Sequence, residues 1–280
     1  MDHEEVGRHW DENAEVWTEL VRAGYDHYRD GLNTPAFLEM LPNVDGLSGL
    51  DVGCGEGHNT RLVAGRGARM VGIDISENFV RHATAAEEAE PRGIRYERAS
   101  AAELPFGDAG FDFAVAFMSL MDIPEVERVL AEVFRVLRPG GFLQFSIEHP
   151  CFTTPHRKTL RDEHGRAYAR EVGGYFQEQD GETQEWIFSS VPPEVREGLR
   201  PFRVPRFTRT LSRWLNLLIE AGFVPERFGE PYPSDEAVRE YPGLQGARVF
   251  AYFLHVRARK PAEASYPNPA PSSAGSAERP

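Results

Sequence analysis

The sequence predicts an α/β protein built on a doubly wound, mostly parallel sheet. Beyond residue 46, short and almost wholly apolar runs alternate with segments of helical period, the pattern of strands buried on both faces beneath crossover helices. A glycine-rich turn, Gly53-Cys54-Gly55-Glu56-Gly57, joins the first apolar run to the first of those helices. With 280 residues and 41% hydrophobic content the chain can bury a full core of this type.

Residues 1–46 precede that pattern. Trp10, Ala14, Trp17, Leu20 and Val21 share one face of an amphipathic helix, and Pro35 opens a second, shorter helix through Phe37, Leu38 and Leu41. This segment reads as a helical lid from which Tyr25, Tyr28 or Arg29 would reach a ligand; rings that only cover the core flank are the plainer alternative.

The core follows over residues 47–149 and resumes over 208–260. Its expected elements are a strand over Gly49–Val52, a helix from His58 to Arg66 and a strand over Ala68–Ile73. A helix over Glu77–Glu90 follows, capped by Ser76 and stopped before Pro91. Next come strands over Ile94–Ala99 and Phe111–Phe117, a helix over Pro124–Arg138 ended by Pro139-Gly140-Gly141, and a strand over Phe142–Ile147. Thr208 opens a late helix, and Phe223–Glu230 with Ala247–Lys260 form a last strand pair, His255 pointing inward beside Phe253.

Residues 150–207 break the rhythm, being polar yet studded with aromatics. A loop this long inside a compact domain is usually functional, and Tyr168, Tyr175, Phe176 and Trp186 mark it as an ordered substrate cap. Residues 261–280, rich in Pro, Ala and Ser, bury too little to offset the entropy of ordering and read as a disordered tail.

The glycine turn leaves the carboxyl end of a strand and enters a helix N-terminus, the place where open α/β sheets bind ligands. Its G-x-G-x-G spacing lacks the later glycine of a dinucleotide fingerprint, and no lysine follows it as in a triphosphate-binding loop. Asp74 ends the second strand about 20 positions on, where a carboxylate grips the two hydroxyls of an adenosine ribose.

Four stretches in order closely resemble the motifs of class I S-adenosylmethionine-dependent methyltransferases. They are Leu50–Gly57, Val71–Ser76, Ala102-Glu103-Leu104-Pro105-Phe106 and Val136–Gly141, and the likeness is greatest to the small-molecule, ubiquinone-biosynthesis-like branch. It covers residues 47–147 firmly and 208–260 more loosely. The resemblance implies a seven-stranded sheet with an antiparallel last strand and S-adenosylmethionine as methyl donor. By motif match it implies that Gly53, Cys54 and Gly55 run beneath the methionine part, with Asp51 beside its amino group. Asp74 would take the ribose hydroxyls and Ile75 would pack on the adenine, while Phe117 and Met118 line the donor. Where the family often has an aspartate facing the adenine amino group this chain has Ser100, which would shift that contact toward the backbone of Ala101 and Ala102.

A sulfonium methyl is already activated, so the protein must chiefly align the nucleophile and exclude water. If the acceptor carries its proton into the reaction a base is needed, and His149, at the carboxyl end of the fifth strand, and Glu171, in the cap, are the candidates. Tyr25, Tyr28, Tyr175, Phe176 and Trp186 would suit an apolar or aromatic small-molecule acceptor.

A formal net charge of -13 repels phosphate backbones and argues against a nucleic-acid partner. Arg196, Arg200, Arg203, Arg206, Arg209 and Arg213 nevertheless form a basic stretch that keeps an RNA methyltransferase in view. A non-catalytic cofactor-binding protein on the same fold is the third reading. Cys54 and Cys151 have no paired spacing, which argues against a disulfide framework or a zinc site. An acidic N-terminus and the lack of any run near the roughly 18 apolar residues of a membrane span lead to an expectation of a cytoplasmic protein.

Overall fold

A computed structural model describes residues 1–262. Its centre is β1 (Ser48–Val52), every residue of which after Ser48 is buried. The chain continues through α3 (His58–Ala64), β2 (Arg69–Asp74), α4 (Glu77–Ala89) and β3 (Arg95–Arg98), where α1 (His3–Arg22) and α2 (Thr34–Met40) precede β1. On the other side lie β4 (Phe111–Phe117), α5 (Val126–Val136) and β5 (Leu137–Glu148). An insert of two hairpins follows: β6 (His156–Arg161) with β7 (Ala167–Gly173), then β8 (Asp180–Trp186), the short α6 (Pro193–Arg196) and β9 (Phe202–Phe207). The chain closes with α7 (Leu211–Glu220), β10 (Val224–Gly229), α8 (Asp235–Glu240) and β11 (Phe253–Arg259).

The main sheet has seven strands in the order β10-β11-β5-β4-β1-β2-β3. Only β11 runs against its neighbours, pairing antiparallel with both β5 and β10. The expected seven-stranded, mostly parallel architecture with an antiparallel last strand is thus present. Strand alternation splits the core in two. Leu50, Val52, Ala114, Leu143 and Phe145 face α5 and α7, whereas Met70, Phe113, Val115 and Phe142 face Phe37 of α2 and Val63 of α3.

Local expectations in the core held to within a few residues, except that β5 begins at Leu137, so Pro139-Gly140-Gly141 lie within the strand and not before it. Ser76 caps α4, its Oγ accepting the Phe79 N–H at 3.1 Å. The last strand differs: residues Pro242–Arg248 form a 3₁₀ turn, so β11 begins only at Phe253. His255 is buried there and shares a 2.7 Å hydrogen bond with Asn33, and burial lowers its pKa to about 4, so it stays neutral. The insert contains two antiparallel hairpins whose pairing a polar sequence did not disclose. The disorder expected from residue 261 falls almost entirely outside the described residues.

α1 is fastened across the carboxyl edge of the sheet. Asp11 accepts from Ser76 Oγ at 2.7 Å and from the Asn78 N–H at 2.9 Å. Asn13 exchanges two hydrogen bonds with the backbone of Arg203 on β9, at 3.0 and 3.1 Å. Trp17 then packs among Trp186, Phe188 and Phe202, joining the helix to the second hairpin through an aromatic cluster.

Candidate functional site

Strand order reverses between β1 and β4, and the loops leaving these two strands meet at that point. Gly53 has φ 75°, and a Cβ there would lie 2.4 Å from the Cβ of Ser119, so only glycine allows the two loops to touch. Gly55 also has positive φ, but a Cβ on it would meet no protein atom within 4 Å; the loop is bare where it faces open space. The N–H groups of Gly53 and Cys54 both donate to the Ile73 carbonyl at 2.9 Å, tying the loop to β2. Ser119 in turn donates its hydroxyl to the Val52 carbonyl.

Two carboxylates flank this loop. Asp74 accepts the Gly55 N–H on Oδ2 and the Ser76 N–H on Oδ1, each at 2.9 Å, which leaves further lone pairs on both oxygens. Asp51 is 1% exposed; Thr60 donates to its Oδ2 at 2.6 Å, while Oδ1 is buried without a partner. Burial pushes the Asp51 carboxyl up to about 7 against the pull of Thr60, with Asp74 adding to the rise. Burial likewise carries Asp74 to about 6 despite its backbone donors. The Cys54 thiol between them is driven well up by burial and both negative charges, so it stays protonated. A desolvated pair of carboxylates, one with an orphaned oxygen, calls for a ligand that brings positive charge and hydroxyl donors.

A cavity of about 680 Å³ opens over the loop. Ile75, Phe79, Ala99, Ser100, Ala101 and Ala102 line it beside β2 and α4. Trp10 and Trp17 of α1 with Trp186 and Phe188 of the second hairpin form the roof. The far end is polar: Glu148 at the tip of β5 is ion-paired with Arg206 of β9, beside Asp122, Arg157 and Tyr252. Met118 sits where β4 ends, at φ 56°, a strained conformation for a residue with a side chain that turns the chain sharply toward the cavity.

A family described as a methyltransferase domain matches residues 50–145. A crystal structure of an S-adenosylmethionine-dependent methyltransferase from Mesorhizobium loti is 32% identical, covering 80% of this chain and 96% of that one with a TM-score of 0.65. The chain belongs to the S-adenosylmethionine-dependent methyltransferases. Among curated relatives, the 27-O-demethylrifamycin SV methyltransferase of Amycolatopsis mediterranei is 29% identical over 78% of this chain and 84% of its own length. An O-methyltransferase of Penicillium expansum is 33% identical over 54% of this chain, and the match spans only 62% of that protein.

In this methyltransferase the expected donor-side residues come together. Asp51, Gly53, Cys54, Gly55, Asp74, Ile75, Ser100, Ala101, Ala102, Phe117 and Met118 all line the one cavity. Ser100 Oγ is engaged with the Ala102 N–H at 3.3 Å. Of the acceptor-side residues, Tyr28 and Trp186 line the cavity, and Tyr28 stacks on Tyr252 at 4.4 Å.

Other expected site residues lie elsewhere. His149 faces away from the cavity: its Nε2 meets Glu230 at 2.8 Å and its Nδ1 accepts the Cys151 N–H at 3.2 Å. Side chains alternate along β5, so only one of Glu148 and His149 can face the crevice, and Glu148 does. Glu171 is an exposed residue of β7, paired across the strand with Lys158. Tyr25 packs in the aromatic cluster behind the roof, the Tyr175 hydroxyl accepts the Leu211 N–H at 2.9 Å, and Phe176 is 85% exposed.

Nor do the six arginines form a free basic stripe. Arg206 pairs with Glu148, Arg213 with Glu127 and Glu220, Arg203 with Glu185 and Arg200 with Glu12. Arg209 and Arg196 donate to main-chain carbonyls. Among the described residues no helix is long and apolar enough to cross a membrane.

Asp122, Glu148, Arg157, Arg206 and Tyr252 are among the cavity residues that sequence reasoning did not assign to the site. Strand alternation allows only one of His149 and Glu148 at the crevice, and the expectation that His149 faces it and Glu148 points the other way is reversed; the place of Asp122 just beyond the carboxyl end of β4 is the signal that could have marked it. Arg157, Arg206 and Tyr252 arrive from distant segments and carried no local signal.

Proposed function

We propose that this methyltransferase transfers the methyl group of S-adenosylmethionine to a small, largely apolar or aromatic acceptor bound between the sheet edge and the second hairpin of the insert. The observation that carries the reading is one cavity lined both by the carboxylate-flanked glycine loop and by the aromatic and polar side chains of α1, the sheet edge and the second hairpin. Asp74 would hold the ribose hydroxyls and Asp51 the amino group, with its orphaned Oδ1 as the acceptor. Gly53, Cys54 and Gly55 would underlie the methionine part, Ile75 would cover the adenine, and the Ser100–Ala102 backbone would meet its edge. When bound, S-adenosylmethionine supplies an activated methyl group on sulfur.

The rest of the work falls to the chain itself. Residues 1–46 act as a lid and residues 150–207 as the acceptor cap, and together they exclude water from the reacting atoms. Trp186 and Tyr28 give a planar acceptor flat walls, and Phe117 and Met118 bound the space where the methyl group would lie. The names of the relatives, which include O-methyltransferases of natural products, favour oxygen as the atom methylated. Two free cysteines fit a reducing compartment such as the cytoplasm.

Incubation with S-adenosylmethionine and a panel of aromatic hydroxyl and amine compounds, read by S-adenosylhomocysteine release and product mass, tests the proposal. Cofactor binding with no transfer to any member would favour the non-catalytic reading.

A further inference from the structure

Asp122 stands apart from every other carboxylate of the cavity. It is only 7% exposed, it lines the cavity, and among the described residues no side chain or backbone group donates a hydrogen bond to its carboxylate. Its oxygens open onto the cavity and are taken up by no group of the described chain, so they are free to meet a donor carried by a ligand.

The turn that carries it is held from both sides. Ser119, at its start, touches the glycine loop through Gly53 and donates to the Val52 carbonyl. The Asp122 N–H returns to the Ser119 carbonyl at 3.0 Å. Arg209 clamps the carbonyls of Ile123 and Pro124 at 2.9 and 2.8 Å just beyond it. With a rise of about 2.0 Å per residue in a 3₁₀ turn, Asp122 lies on the order of 6 Å along the turn from the residue that touches the donor loop.

The competing groups are otherwise engaged. Glu148 is already paired with Arg206, and His3 Nδ1 is held by Glu125 at 2.7 Å. His58 starts α3 among Arg29, Glu56 and Asp30, at the methionine end of the cavity. The Cys54 thiol is kept protonated.

Building on the methyltransferase reading, we propose that Asp122 is the catalytic base and that the acceptor is a phenolic or enolic hydroxyl compound whose O–H points at its carboxylate. In the step, the acceptor O–H bond breaks and its proton passes to an Asp122 oxygen. The acceptor oxygen uses the freed electron pair to bond the methyl carbon, and the carbon–sulfur bond breaks with its pair remaining on sulfur. Asp122 returns the proton to water when the products leave. The charges that face Asp122 are Arg206 and Arg209, which favour its ionised form, and Glu148, which opposes it; burial outweighs them and lifts the carboxyl to about 7. A carboxylate base is matched to acceptors that already give up a proton readily, phenols and enols, and is far too weak for aliphatic alcohols.

The test is a series of ring-substituted phenols of graded acidity, with the matching anilines, assayed with S-adenosylmethionine against wild type, Asp122→Asn and Asp122→Ala. The expected result is a kcat lowered on the order of 10²-fold or more by Asp122→Asn for the least acidic phenols, and by less than about tenfold for nitrophenols that ionise on their own. The acid limb of the wild-type pH profile should disappear in Asp122→Asn, and added formate should restore rate to Asp122→Ala. Calorimetric affinity for S-adenosylmethionine should not change, because Asp122 holds no other group, and the unfolding midpoint of Asp122→Asn should be no lower than wild type, because a buried carboxylate has been removed. An Asp122→Asn enzyme with wild-type rate and pH profile overturns the proposal, as does an equal loss across all phenols without formate rescue. Wild-type methylation of anilines but not phenols overturns the acceptor class alone. Transfer to no member of either series overturns it as well, and S-adenosylmethionine titration then decides the underlying reading separately.

Discussion

Replacing Asp74 with alanine removes the group that the structure sets beside the bare glycine loop, and its consequences can be worked through. Each carboxylate oxygen already accepts one backbone N–H, so each has capacity left for one ribose hydroxyl. Hydrogen bonds to a charged acceptor contribute about 1.5–3 kcal/mol apiece, and water entering the truncated site recovers part of that. A net loss of about 3 kcal/mol corresponds to a Kd for S-adenosylmethionine weakened on the order of 10²-fold. Stability should respond differently. The variant strands the Gly55 and Ser76 N–H groups, but it also removes a buried carboxylate whose charge disfavours ionisation of Asp51, so the two effects oppose each other. Isothermal titration read beside thermal unfolding separates them: affinity falls while the unfolding midpoint moves little. The variant should also bind S-adenosylhomocysteine and an analogue lacking both ribose hydroxyls equally well. A Kd within about threefold of wild type would refute the ribose assignment.

Three further outcomes follow from the same geometry. Gly53→Ala, with its Cβ driven to 2.4 Å from Ser119, should unfold at distinctly lower temperature, whereas Gly55→Ala, which meets no protein atom, should cost about 1 kcal/mol of backbone strain and act mainly on cofactor affinity; equal unfolding midpoints would contradict this. Phe202→Ala, 1% exposed at the centre of the roof cluster, should cost about 3–5 kcal/mol and speed proteolytic cleavage of the insert, and a midpoint drop below about 2 °C would show that the roof packs otherwise. For pH, the folded chain keeps protons on Asp26, Asp51, Asp74 and Asp122 that the unfolded chain releases above about pH 4, whereas His255, lowered to about 4, opposes them below about pH 6.5; four carboxyls outweigh one imidazole, so stability falls as pH rises from about 4 to 7. Carboxylates with lowered values, such as Glu87 and Glu132, act in the opposite sense at the acid end of the range. Asp51→Asn should flatten the decline by at most about 4 kcal/mol, seen as a smaller drop in midpoint between pH 5 and pH 8 than in wild type.

What the sequence alone determined is the donor half. Its signals are local: a strand, a glycine turn and a carboxylate about 20 residues on lie within one βαβ unit, and the strand periodicity places their ends at one edge of the sheet. Ser76 as a cap and the glycines as a close-approach loop follow from chemistry between near neighbours. The acceptor half was only partly legible. Tyr28 and Trp186 reach the cavity as expected, but His149 and Glu148 differ by one position on a strand, and which one faces the crevice depends on register against β11 and on the salt bridge to Arg206. Phe176, which the sequence offered as an acceptor contact, stands in solvent, because it falls in the turn joining the two hairpins, where no strand alternation assigns it a face. Arg157, Arg206 and Tyr252 converge on Glu148 and Asp122 only through long-range packing of the insert and the last strand. Local pattern encodes the glycine loop and its two carboxylates, and tertiary contact between remote segments decides what else lines the cavity.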